Sequence, residues 1–333
     1  MLNENQIIEI INDTISKNCK SLDNNKEQDA VLFQTSCNKL LFTIDDFSHE
    51  DQFRENDPYS LGWNMVVGGV SDILASGGIP KFFGHSLVIC REWNEDYIIK
   101  LAKGIADAIS KADMTFIGGD LGISEDWKYT ASVIGDAPEK ELNRMGAKPG
   151  DSIFMSGKIG AGNFEAALNI YKEKLKLSGL IRTIKTRYSY RFEESQLMKK
   201  YASCSIDTSD GVFNGLNTIS ELNSIGYSIV NLQYITKASL LAKILSLPKE
   251  MLFFGECGEY ELLFTVNEDK VEEFIKEAKQ QNLDFFQIGK VTENERILEI
   301  RNKITNLSKF DVRARDFENI KDYLKELIQK LKA

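Results

Sequence analysis

The sequence predicts a two-domain α+β fold, with an N-terminal α/β domain over residues 1–148 and a C-terminal α+β domain over residues 149–333. Three observations carry this. A chain of 333 residues exceeds one small core and suits two domains of ordinary size. Helical and strand periodicities are interspersed along the whole length. The run Arg144-Met145-Gly146-Ala147-Lys148-Pro149-Gly150-Asp151 is rich in turn formers and stands before a fresh apolar strand, the composition of a boundary.

Each element follows from local pattern. Residues 5–17 place Ile7, Ile8, Ile11 and Ile15 at helical spacing, an amphipathic helix with one buried stripe. Two β-rich runs, 30–35 and 39–44, flank the polar Ser36-Cys37-Asn38 and suit a hairpin. Small and apolar residues recur over 60–76 and end at Gly77-Gly78-Ile79-Pro80, a helix stop signal, so this helix is expected to be mostly buried. A strand over 82–89, a helix over 96–111, a strand over 114–117 running into Gly118-Gly119-Asp120, and a strand over 129–135 complete the first half. In the second half, a strand over 152–156 leads through the turn Gly157 to Gly162 into a helix near Asn163. The run Cys204-Ser205-Ile206-Asp207 reads as a strand that ends in a polar turn before a helix through Leu222. Strands near 227–230 and 262–266 and helices near 270–281 and 317–332 finish the chain.

Composition narrows the function. Hydrophobic residues at 42% and charged residues at 27% are the balance of a globular protein. A net charge of −9 argues against a nucleic-acid binder, which needs basic patches to displace counterions. A phosphate-bearing ligand approaching such a chain needs a divalent cation to offset the repulsion. Five scattered cysteines with no C-x-x-C pair fit reduced thiols. The absence of a basic-then-apolar start, or of about 18 consecutive apolar residues, gives the expectation of a cytoplasmic protein with no membrane span.

The residues suited to chemistry are aspartates expected where a strand or helix meets a loop: Asp45, Asp72, Asp120 and Asp210, with Asp29 beside the first strand. Magnesium takes hard oxygen ligands and keeps several waters, so one carboxylate from each of several segments plus substrate phosphates suits it. Taken singly, each also reads as a turn residue or a cap. The turn Gly157 to Gly162 can offer backbone N–H groups to phosphate, although it lacks a P-loop ending. His49 and His85 are too few for a zinc site or a Ser-His-Asp triad, and Cys257 reads as a packed thiol.

Taken in order, Glu27-Gln28-Asp29-Ala30, Thr43-Ile44-Asp45, the run Ser71 to Pro80, Gly118-Gly119-Asp120, Arg144 to Asp151 and Ser209-Asp210-Gly211 resemble the motif series of the thiamine-monophosphate kinases. That family lies in the ATP-binding superfamily that includes aminoimidazole ribonucleotide synthetase. The resemblance implies a synthetase-like fold whose N-terminal strands pair in a dimer barrel. It also implies a homodimer that uses ATP and Mg2+ to phosphorylate thiamine phosphate to the diphosphate by direct in-line transfer. It assigns metal binding to Asp29, Asp45, Asp72, Asp120 and Asp210 and the central catalytic role to Asp210. Nucleotide contact goes to Gly119, Asp120, Arg144 and Ser209, and substrate contact to Gln52 and Phe53. The chain departs from the family pattern at Gln28, at Glu50 and Gln52, and over Glu256 to Glu259. Another ATP-dependent synthetase reaction on a different small molecule, or a nucleotide-binding paralogue without turnover, stands as the alternative.

Overall fold

One helix, buried on nearly every side, lies between two β-sheets. The computed structural model describes residues 30–34, 39–51, 55–171, 187–300 and 303–332. The helix expected over 5–17, together with Asp29, Gln52 and Phe53, lies outside the described residues.

The first sheet contains β1 (Val31–Gln34), β2 (Lys39–Ser48), β3 (Ile79–Cys90), β4 (Thr115–Ser124) and β5 (Lys128–Asp136), in the order β1-β2-β5-β3-β4. Its pairings are antiparallel except β3 with β4, which is parallel. Helix α1 (Pro58–Ala75) starts where Asp57 caps it: the Asp57 carboxylate accepts from Ser60 Oγ at 2.7 Å, and Pro58 occupies the first turn. It stops at Gly77, whose φ of +70° is left-handed backbone that glycine adopts without strain. Helix α2 (Glu95–Lys111) crosses α1 closely, with Asn94 as its cap.

The second sheet contains β6 (Ser152–Met155), β7 (Ala202–Asp207), β8 (Gly226–Ile229), β9 (Leu262–Val266), β10 (Phe286–Thr292), β11 (Arg296–Ile300) and β12 (Lys303–Asn306), in the order β12-β11-β8-β10-β6-β9-β7. Its helices are α3 (Ala161–Tyr171), α4 (Phe192–Tyr201), α5 (Val212–Asn223), α6 (Thr236–Ile244), α7 (Met251–Phe254), α8 (Val271–Gln280) and α9 (Ile320–Lys332). One core joins Leu61, Met65, Val66 and Val70 of α1 to Tyr129 and Val133 of β5 and to Phe264 of β9, so α1 is packed from both sheets. A second core gathers β8, β10, α5, α7 and α9.

One strand departs from expectation in a way that matters for function. The strand expected to end at Ile117 continues through Gly118-Gly119-Asp120 to Ser124. Gly119 is a packing requirement there, because a Cβ on it would lie 2.3 Å from the His85 ring of neighbouring β3. The glycines that suggested a turn are accommodated inside a strand instead.

Candidate active site

The site is built around the end of β7. Asp207 pairs with Leu262 of β9, and the chain then turns sharply through Thr208 to Gly211. Thr208 Oγ1 fixes this turn, accepting from the Glu261 N–H at 3.0 Å and donating to the Glu261 carbonyl at 3.1 Å. Gly211 takes a φ of +83°, and a Cβ there would lie 2.4 Å from the Gly255 carbonyl oxygen, so the turn demands glycine. The turn brings Ser209 Oγ to 3.0 Å from Asp207 Oδ1 and leaves Asp210 exposed at the rim.

Asp207 itself is buried. Its other oxygen lies 2.6 Å from Ser71 Oγ on α1, and Ser71 Oγ also lies 2.7 Å from the Gly68 carbonyl. Ser71 donates to Asp207, and its single hydroxyl proton is shared between that carboxylate and the Gly68 carbonyl. Burial raises the Asp207 pKa above the ordinary carboxylate range, against the lowering effects of the Ser71 hydrogen bond and the Arg144 charge. Arg144 sits in a turn held by Asn223, whose Nδ2 donates to the Arg144 carbonyl at 2.9 Å and whose Oδ1 accepts from the Gly146 N–H at 2.7 Å.

One residue further along α1, rotated by about 100° on the helix, Asp72 accepts from Thr43 Oγ1 of β2 at 2.6 Å. Thr43 and Phe47 face α1, and strand alternation puts Asp45 on that same face. The sequence-predicted Asp45, Asp72, Ser209, Asp210 and Arg144 thus lie on or beside β2, α1 and the end of β7, a seam in which α1 touches both strands. At its far end Arg315 approaches Asp210 at 3.7 Å, and Glu256 accepts from the Ala314 N–H at 3.0 Å. Among the described residues, no three His, Cys, Asp or Glu side chains form a set able to enclose a metal by themselves.

Gly119 and Asp120 lie elsewhere. Asp45 is in register with Ala131, His85 and Gly119 across β2, β5, β3 and β4, three strand spacings or about 14 Å away. Asp120 shares its row with Asp46, whose carboxylate accepts from Thr130 Oγ1 at 2.7 Å, on the opposite face from Asp45. Asp45, Asp72 and Asp120 also sit inside regular elements, not at their ends as expected; Asp210 alone is in a turn.

The turn Gly157 to Gly162 is not open to a phosphate as its glycines suggested. The Glu259 carboxylate already accepts from the Gly160 N–H at 3.0 Å and the Ala161 N–H at 2.6 Å, taking the anion's place. Burial pushes the Glu259 pKa up to about 8 in spite of these donors. Cys257 is buried and its thiol is pushed up to about 12, which removes it as a nucleophile at neutral pH. Sequence reasoning missed Asp207 and Ser71. The signal for Asp207 was its place three residues before Asp210 at a strand end; that for Ser71 was its place at the head of the Ser71 to Pro80 run.

Comparison with known proteins gives the family. The family described as AIR synthase related protein, N-terminal domain, matches residues 27–137, and its C-terminal domain counterpart matches 148–300, which defines the class. The thiamine-monophosphate kinase of Pyrococcus abyssi is 30% identical over 235 residues, covering 70% of this chain and 72% of the relative. That of Aquifex aeolicus is 29% identical over 266 residues, covering 77% and 83%. The structure of AaThiL complexed with AMPPCP and TMP superposes with a TM-score of 0.72 at 26% identity, covering 91% of this chain and 94% of that one. The Escherichia coli hydrogenase maturation protein HypE, at 17% identity and a TM-score of 0.68 over 91% of this chain and 96% of that one, shares the fold. The chain belongs to the thiamine-monophosphate kinase family.

Proposed function

We propose that this protein is an ATP-dependent phosphotransferase that converts thiamine phosphate to thiamine diphosphate by direct in-line transfer. The observation that carries the reading is the seam of Asp45, Asp72, Asp207 and Asp210 beside Arg144, in a chain whose relatives are thiamine-monophosphate kinases. The solved relative named as a complex with AMPPCP and TMP supports a nucleotide and a small phosphate ester as the two substrates.

The seam offers only hard oxygen donors, the chemistry that suits magnesium. Because no three carboxylates among the described residues enclose an ion unaided, one or two of them would hold it, with substrate phosphates and water completing the shell. Bound there, magnesium supplies neutralisation of phosphate charge. The chain's own residues orient and select. Ser71 and Ser209 fix both oxygens of Asp207, Thr43 fixes Asp72, and Arg144 presents a planar cation to phosphate. Transfer between phosphates needs no covalent intermediate, in keeping with the inert Cys257. Gly119 and Asp120, about 14 Å from Asp45 within a protomer, enter this reading as residues delivered across a homodimer in which β4 edges meet.

The test is chromatographic detection of thiamine diphosphate after incubation with ATP, magnesium and thiamine phosphate. Asp207→Asn and Asp210→Asn are expected to lower kcat by roughly two orders of magnitude with the far-UV spectrum unchanged. ATP binding with no thiamine diphosphate formed by the wild type would remove the reading.

A further inference from the structure

Away from the seam, a cavity of 370 Å³ opens in the C-terminal half, and the charged residues among its described lining are all cationic, in a chain of net negative charge. Lys158, Arg187 and Lys237 line it together with Phe164, Ile235 and Thr236, with no acidic residue among its described lining residues; the adjoining cavity, which shares Lys158, Arg187 and Ile235, carries Glu259, Glu261 and Asp284. The three cations come from three separate segments: the turn after β6, the approach to α4, and the first turn of α6. In a chain of net charge −9, three such groups around one cavity form a local field that attracts anions.

Lys237 sits at the helix end where the macrodipole disfavours a cation. Among the described residues neither Lys158 nor Lys237 forms an ion pair; Lys158 Nζ lies 6.0 Å from the Phe286 ring centre. Arg187 is held in place by its Nε, which donates to Ser60 Oγ at 3.0 Å, and by the Tyr59 ring at 4.3 Å. Its charge also acts on Asp107, whose carboxylate accepts from the Tyr59 hydroxyl at 2.7 Å. Phe164 and Ile235 supply an apolar wall.

We infer that this cavity is a second anion-binding site, taking a phosphate monoester whose organic part rests on Phe164 and Ile235. It is separate from the aspartate seam. The segment Gly258 to Glu261 runs between them, with Glu259 donating its N–H to the Thr208 carbonyl on one side and accepting from Gly160 and Ala161 on the other. The two sites also differ in how they meet a phosphate: the acidic seam repels one without a divalent cation, whereas the cationic cavity binds one with no metal present.

The experiment uses that difference. The full-length protein is titrated calorimetrically with phenyl phosphate in EDTA, as wild type, as the double variant Lys158→Gln/Lys237→Gln, and as Asp207→Asn. One molecule bound per chain, weakened at least tenfold in the lysine variant and retained in Asp207→Asn, is the expected result. Absence of binding to the wild type, or binding unchanged by the lysine substitutions, overturns the site. Because neither ATP nor turnover enters the measurement, failure of the kinase reading would leave this outcome unaffected.

Discussion

Glu259 holds a carboxyl group in a fully buried position where its pKa is pushed up to about 8, against an ordinary value near 4.5. A carboxyl raised on folding binds its proton more tightly in the native state. Its contribution to stability is therefore complete below about pH 4.5 and is lost as pH rises through about 8. Across that window the loss is a few kcal/mol. Asp207 is shifted in the same direction by the same cause, so the two act together. Glu259→Gln keeps an oxygen for the Gly160 and Ala161 N–H groups and abolishes the titration. Urea unfolding at pH 5, 7 and 9 is expected to show the variant gaining on the wild type as pH rises; parallel curves would rule out a titrating Glu259. At this scale the sequence was partly legible. Asp45, Asp72, Asp210 and Arg144 were singled out by the order of the motifs in which they stand, and Asp210 also by the glycine that follows it. Asp207 was passed over because its neighbour Asp210 carries the conspicuous Asp-Gly signature, and the partnership of Ser71 with Asp207 joins residues 136 positions apart.

Between elements, the controlling feature is the crossing of α1 and α2, where backbone meets backbone. A Cβ on Gly104 would lie 2.0 Å from the Tyr59 carbonyl oxygen, and one on Gly62 would lie 2.3 Å from the Leu101 carbonyl oxygen. Both contacts are with backbone, so no rotamer change relieves them. Alanine normally gains up to about 1 kcal/mol over glycine inside a helix. Here overpacking is expected to reverse the sign, so that Gly104→Ala destabilises by about 1–3 kcal/mol. A lower urea midpoint at unchanged slope is the readout, and an unchanged or raised midpoint would contradict the close crossing. The helix over Pro58–Ala75 was legible from its apolar run and glycine stop, whereas the glycines that permit its approach to α2 carry no periodicity. The strands Phe286–Thr292, Arg296–Ile300 and Lys303–Asn306 went unread for another reason. Charged residues such as Lys290, Arg296 and Glu299 break the alternation that marks a strand.

For the molecule as a whole, the unsolved problem of the single chain is the edge strand β4. It is exposed along nearly its full length, with Ile117 at 58%, Leu121 at 62% and Ile123 at 57% of their free surface. An edge with unpaired backbone groups and several large apolar side chains invites association unless something covers it. A second copy of the chain meets that need, and it also addresses the position of Asp120, which one protomer leaves on the far face of its sheet from Asp45. The two consequences are linked, so they should fail together. Leu121→Glu/Ile123→Glu places like charges on the contact, and neither position lies in the aspartate seam. Sedimentation velocity is expected to show a dimer for the wild type and a monomer for the variant, with thiamine diphosphate formation lost in proportion to the monomer fraction. A wild type that sediments as a monomer would remove the dimer from the reading. A monomeric variant with full turnover would remove Asp120 from the reaction while leaving the seam of Asp45, Asp72, Asp207 and Asp210 in place.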